Sequence, residues 1–157
     1  MATKSLRPLF FIMATLRQMA INLIVKELEK DAKRILRECV DERTYEHDTK
    51  NLYDSYGYGI YVEGSLTRSG FLSASPQASK EKKWYGTEVH GRNEIKTFLS
   101  SYDAKGAICL VVAASMPYAV VLEQGGGGLK KKYKVISMSF QKLQDIAKRY
   151  NGAVSIL

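Results

Sequence analysis

Two histidines and two cysteines are all that the 157-residue chain offers for soft-metal or thiol chemistry. His47 and His90 have no second His or Cys at ligand spacing, which argues against a zinc site. Cys39 and Cys109 form no CxxC pair. Both lie among apolar neighbours and are expected to be packed thiols in a reducing compartment. GxSxG, HExxH and GxxxxGK[ST] are all missing, so no nucleophile elbow, zinc helix or phosphate loop is expected. The four glycines Gly125–Gly128 run into Leu129-Lys130 and read as a hinge instead. No stretch approaches the ~20 apolar residues of a membrane span. Lys4 and Arg7 precede the apolar run Leu9–Ala14 in the manner of a signal peptide. However, Pro8 opens that run, Arg17 closes it and no small-residue cleavage site follows, so it reads as the start of a helix.

What the chain does have is basic charge, a net +8. Residues 1–43 hold nine Lys/Arg against six Asp/Glu, residues 44–108 eight of each, and residues 109–157 seven against two. The excess gathers at Lys130, Lys131, Lys132 and Lys134 and in the last helix. Such a cluster can face nucleic acid, form a solvated loop, or meet an acidic partner. At 45% hydrophobic residues, the composition is that of a globular domain.

Hydrophobic periodicity organises this composition into an α+β chain, read as a single domain. Apolar residues at Ile12, Leu16, Met19/Ala20, Leu23/Ile24, Leu28, Ala32, Ile35/Leu36 and Cys39/Val40 step by three and four. They predict one amphipathic helix over 8–42, with Pro8 in its first turn. Between Met19 and Val25 only Asn22 is polar. A helix apolar nearly all round is buried on more than one side. Met19, Ile21, Leu23, Ile24 and Val25 are therefore candidates for a subunit interface, or for a deep place in the chain's own core. After Asp48 the period becomes two: Tyr56, Tyr58, Ile60 and Val62 alternate with Gly57, Gly59, Tyr61 and Glu63. A turn at Glu63-Gly64 and a returning strand from Ser65 follow.

Residues 69–91 are polar and aperiodic, a long mobile loop by expectation. Asn93 is placed as the cap of a short helix to about Ser101. Ile108–Ala114 is a continuous apolar run suited to a central strand covered on both faces, ended or bent by Pro117. A second apolar run, Tyr118–Leu122, precedes the glycines. Tyr133–Ile136 is expected to be a short edge strand. A C-terminal helix over 139–150 buries Phe140, Leu143, Ile146/Ala147 and Tyr150 and stops at Asn151-Gly152. The sheet and its loops thus occupy 49–136, mainly antiparallel, under the long helix. Asp48, Asp54 and Glu123 are the carboxylates nearest to an acid–base arrangement. No nucleophile–base pair accompanies them, so no catalytic residue, metal or cofactor is assigned.

Two segments carry a family likeness. One is Asp48-Thr49-Lys50-Asn51-Leu52-Tyr53-Asp54-Ser55, leading into the tyrosine-rich strand. The other is Met116-Pro117-Tyr118-Ala119-Val120-Val121-Leu122-Glu123-Gln124-Gly125. In this order, after a long helix, they resemble the tail-completion or head–tail joining proteins of tailed bacteriophages. The family pattern pairs an Asp-Thr-Gly-x-Leu-x-x-Ser-like segment with a Tyr-Ala-x-x-x-Glu-x-Gly-like one; Lys50 stands here where Gly is usual. The matching scaffold positions are Asp48, Thr49, Leu52, Ser55, Pro117, Tyr118, Ala119, Glu123 and Gly125. The resemblance implies a non-catalytic virion subunit, made in the host bacterial cytoplasm, that closes into a six- or twelve-fold ring. Its partners would be a portal or adaptor protein above and a tail protein below. It would help seal the DNA channel, with the lysine cluster facing that channel or a partner, and no membrane is implied. The alternatives are a small basic nucleic-acid-binding protein, another tail component (terminator, tube or baseplate), or a small hydrolase built on Asp48 or Glu123.

Overall fold

A computed structural model of the chain describes residues 7–42, 51–72, 82–84, 87–125, 129 and 131–154. The first element, α1 (Arg7–Asp41), is a helix of 35 residues. At ~1.5 Å per residue it extends about 50 Å. Its second half is amphipathic: Val25, Leu28, Ala32, Ile35, Leu36, Cys39 and Val40 are buried in the main core. Ion pairs one turn apart, such as Lys33–Glu29 at 2.6 Å, decorate the solvent side. Burial pushes the Cys39 thiol up to about 12, so it stays protonated and packs as a hydrophobe.

One helical turn, α2 (Asn51–Asp54), delivers the chain to β1 (Tyr56–Val62). Glu63 and Gly64 form a two-residue hairpin turn with φ of 50° and 80°. Positive φ at both positions suits the right-handed twist of the strands it joins. β2 (Ser65–Phe71) returns antiparallel to β1, with a register shift between Ile60 and Tyr61. β5 (Ile108–Ala114) pairs with the other side of β1, so the sheet order is β2-β1-β5, all antiparallel. Among the described residues β1 is thus the central strand and β5 an edge, the reverse of the sequence expectation for Ile108–Ala114. Most of β5 is only half-buried, whereas β1 is buried from Tyr56 to Tyr61.

The alternating glycines of β1 explain this reversal. α1 covers one face of the sheet, over Tyr56, Tyr58 and Ile60. α3 (Gly91–Ser101) covers the other face with Ile95 and Leu99, beside Tyr61. A Cβ on Gly57 would stand 2.6 Å from Ile95 Cγ1, so only glycine lets α3 approach so closely. Two covered faces therefore coexist with a sequence that reads as half polar.

The segment 69–91 is not one continuous loop. β2 reaches Phe71, and β3 (Lys82–Trp84) pairs with β4 (Thr87–Val89) as a separate antiparallel hairpin. Residues 73–81, 85 and 86 lie outside the described residues. α3 begins two residues before the expected cap: His90 is its N-cap, and Asn93 donates its backbone N–H to the His90 carbonyl.

After β5 comes α4 (Pro117–Gln124), with Pro117 in the first turn and Gly125 as a left-handed cap at φ 76°. The apolar run Tyr118–Leu122 is therefore helical. Residues 131–138 form neither helix nor strand, so the edge strand expected at Tyr133–Ile136 is absent from them. α5 (Ser139–Arg149) closes onto α1, with Lys142 Nζ 2.7 Å from Glu38 and 3.1 Å from Glu42, and Arg149 paired to Asp31. Asn151 at φ 52° and the Gly152 N–H bonded to the Ala147 carbonyl end it as expected.

Candidate subunit interface

The described parts of the two family-like segments, 51–55 and 116–125, lie in scaffold positions. Asp48, Thr49 and Lys50 are outside the described residues. Leu52 is buried, and Ser55, fully buried, caps its own turn: its N–H reaches the Asn51 carbonyl at 3.0 Å and its Oγ–H the Leu52 carbonyl at 2.7 Å. Gly91 lies directly against this turn, where an added Cβ would stand 2.0 Å from the Asn51 oxygen. The α2 turn and the start of α3 are therefore in backbone contact.

In the second segment, Met116 and Ala119 are buried and Tyr118 packs on the main core. Glu123 is the busiest residue here. Its Oε1 accepts the backbone N–H groups of Val135 at 2.7 Å, Ile136 at 2.5 Å and Ser137 at 2.9 Å. Burial pushes the Glu123 carboxyl up. The N–H groups of Ser137, Ile136 and Val135, with the Ser137 side chain, outweigh that and hold it below the usual carboxylate range. The carboxylate thus anchors the irregular 131–138 segment, which has no strand ladder to hold it. The Tyr56 hydroxyl adds a bond of 2.7 Å to the Val135 carbonyl. A carboxylate whose pKa is held down by backbone donors is a poor general base.

The basic cluster stands on that anchored segment. Lys131, Lys132 and Lys134 are exposed, with the Lys131 ammonium 5.2 Å from the Tyr133 ring centroid. Lys130 is outside the described residues. Among the described residues, no group of three His, Cys, Asp or Glu converges as metal ligands, and no helix is long and apolar enough to cross a membrane.

The proposed interface residues on α1 separate into three environments. Met19 is 58% exposed and Leu23 65%, Ile21 and Ile24 are half-buried against the core, and Val25 is 5% exposed. Residues 19–25 are therefore not buried on several sides. They mark the point where α1 leaves the body. N-terminal to them, every side chain from 11 to 20 is exposed, including Phe11 at 76% and Leu16 at 59%. Sequence periodicity placed Ile12 and Leu16 on the buried stripe. It missed the exposed set because the apolar period runs on unbroken beyond the last turn that has a core to meet. Arg17, the only charge between residues 8 and 25, pairs at 2.7 Å with Glu63 in the β1–β2 turn.

Comparison with protein-family models, with curated proteins and with solved structures finds no match for this chain.

Proposed function

We propose that the chain is a non-catalytic, self-associating structural subunit of a tailed-phage neck, joining portal to tail as part of a ring around the DNA channel. The observation that carries this reading is the exposed apolar surface of α1. Isolated exposed apolar residues are ordinary, but a contiguous surface of Phe11, Ile12, Met13, Leu16, Met19 and Leu23 marks an interaction site. The two segments resembling head–tail joining proteins support the virion assignment. Their engagement in caps and anchors favours a scaffold over an active site. Ring closure is the ordinary outcome of heterologous contacts between copies of a small subunit.

Negative-stain imaging of the purified chain tests the proposal. Closed rings of six or twelve subunits are expected, alone or when mixed with the portal complex. Failure to form or join a ring under either condition would remove it. A second reading, nucleic-acid binding, is favoured by the exposed Lys131, Lys132 and Lys134. That reading predicts retention of generic duplex DNA that weakens steeply with salt. The neck reading predicts, at most, weak retention by the isolated subunit.

A further inference from the structure

α1 carries two apolar stripes on opposite sides. The buried stripe is Val25, Leu28, Ala32, Ile35, Leu36 and Cys39. The other is Ile12, Leu16, Met19 and Leu23, all more than half exposed. At 3.6 residues per turn, the four residues of the outer stripe fall within about 60° of one another and point about 180° away from the buried stripe. Their spacing of four, three and four is the a/d ladder of a coiled-coil seam, narrower than the face a helix turns toward a globular core. Gln18 and Asn22, hydrogen-bonded to each other at 3.0 Å, flank the seam on one side, and Met13 and Ala20 on the other.

The seam is uncharged. Arg17 lies off it and is held by Glu63. Continuing the same ladder beyond Leu23 gives Lys26, Lys30, Lys33 and Arg37, all exposed. An apolar ladder thus stops where a basic one begins, along a single line on one helix. A charged partner finds nothing to pair with on the seam, whereas another uncharged seam of the same spacing fits it. A membrane-surface helix carries its cations beside its apolar face; here they follow the seam end to end.

We infer that the Ile12–Leu23 seam docks against the same seam of a second copy, the two α1 helices antiparallel about a two-fold axis. Antiparallel pairing sets Ile12 opposite Leu23 and Leu16 opposite Met19. It sends the two basic ladders to opposite ends of the pair. Parallel pairing would stack Lys26, Lys30, Lys33 and Arg37 against their own copies, a repulsion that Glu27 and Glu29 offset only in part, at Lys30 and Lys33. Because the seam points away from the core, the two bodies sit on the outer sides of the helix pair. The exposed portions of Ile12, Leu16, Met19 and Leu23, with Met13 beside them, amount to roughly 500 Å² per copy. The pair then buries on the order of 1,000 Å², the threshold for a specific contact and the size of a weak one. The inference extends the self-association proposed above but holds without the virion. A two-fold pair is not itself a ring, and closure needs a second, different contact.

Mild oxidation of full-length Ile12→Cys and Leu23→Cys chains tests this, with the wild type as control for Cys39 and Cys109. A mixture of the two variants should give a disulfide-linked dimer that neither variant gives alone. Leu16→Asp should weaken association at least about 100-fold, since each pair would bury two carboxylates in an apolar seam. Its circular dichroism should not change, because Leu16 touches no core. Four results would overturn the inference: a wild type that is monomeric at tens of micromolar; cross-links within each single variant and none in the mixture; Leu16→Asp as dimeric as the wild type; or a wild type that partitions onto lipid vesicles without pairing. Closed rings without the mixed cross-link would sink this contact and leave the ring proposal standing. The mixed cross-link without rings would do the opposite.

Discussion

Gly91 and Glu123 show how much of this fold rests on single residues that carry no chemistry. A methyl group at position 91 would collide with the Asn51 carbonyl, which is backbone and cannot swing aside. Gly91→Ala is expected to cost about 3 kcal/mol or more in urea unfolding. A loss below about 1 kcal/mol would mean that α3 shifts freely over the α2 turn. Glu123 works through charge. Its folded carboxyl lies below the ordinary value of 4.5, because its backbone donors outweigh its burial. A depressed carboxyl contributes stability that is fully present above the unfolded value and is lost as pH falls through the folded one. Glu123→Ala should therefore cost about 2 kcal/mol at neutral pH, and its gap to the wild type should close as pH falls through the depressed folded carboxyl. A gap that does not change with pH would contradict this role. Gly91 was not legible as structural in the sequence, and Glu123 stood out as a scaffold position only through the family resemblance. A lone glycine before a helix has many uses, and the donors to Glu123 come from residues 135–137, beyond the reach of any local rule.

The elements were more legible than the contacts between them. α1, the β1–β2 hairpin and α5 follow from periods of 3.6 and 2 and from their stop signals, and all three stand close to where the sequence put them. The strand roles were not legible. Ile108–Ala114 looks like a central strand because it is apolar throughout, yet it is an edge. Tyr56–Val62 looks half-exposed because its glycines hide a face on which α3 sits. Residues 133–136 resemble a strand but have no ladder, and Glu123 supplies the acceptor that a neighbouring strand would have given. α1 shows the same limit, since its buried and outward stripes are equally apolar in sequence. Truncation separates them at protein concentrations where the chain is monomeric. Ile35→Ala, at a fully buried position, should cost about 2–4 kcal/mol, and Leu16→Ala under about 0.5 kcal/mol. Equal losses from the two truncations would show that the outer stripe is packed within one chain.

At the scale of the whole molecule, the chain combines a well-anchored α+β body with a helix that outruns it. The body holds the described parts of the family-like segments through the Ser55 cap and the Glu123 anchor. The overhang holds the only large apolar surface with no core to meet among the described residues. Net charge adds a constraint: at +8, copies repel at long range, so association needs an uncharged contact and strengthens with salt. Binding to nucleic acid would weaken with salt, so the sign of the salt dependence separates the two readings. The central claim is self-association through α1. Its most direct test is the solution mass of the wild type and of Leu16→Asp by light scattering over a range of concentrations. The wild type should rise from 17.6 kDa to a multiple of it, while Leu16→Asp stays at 17.6 kDa. A wild type that holds 17.6 kDa at every concentration, indistinguishable from Leu16→Asp, would contradict the account.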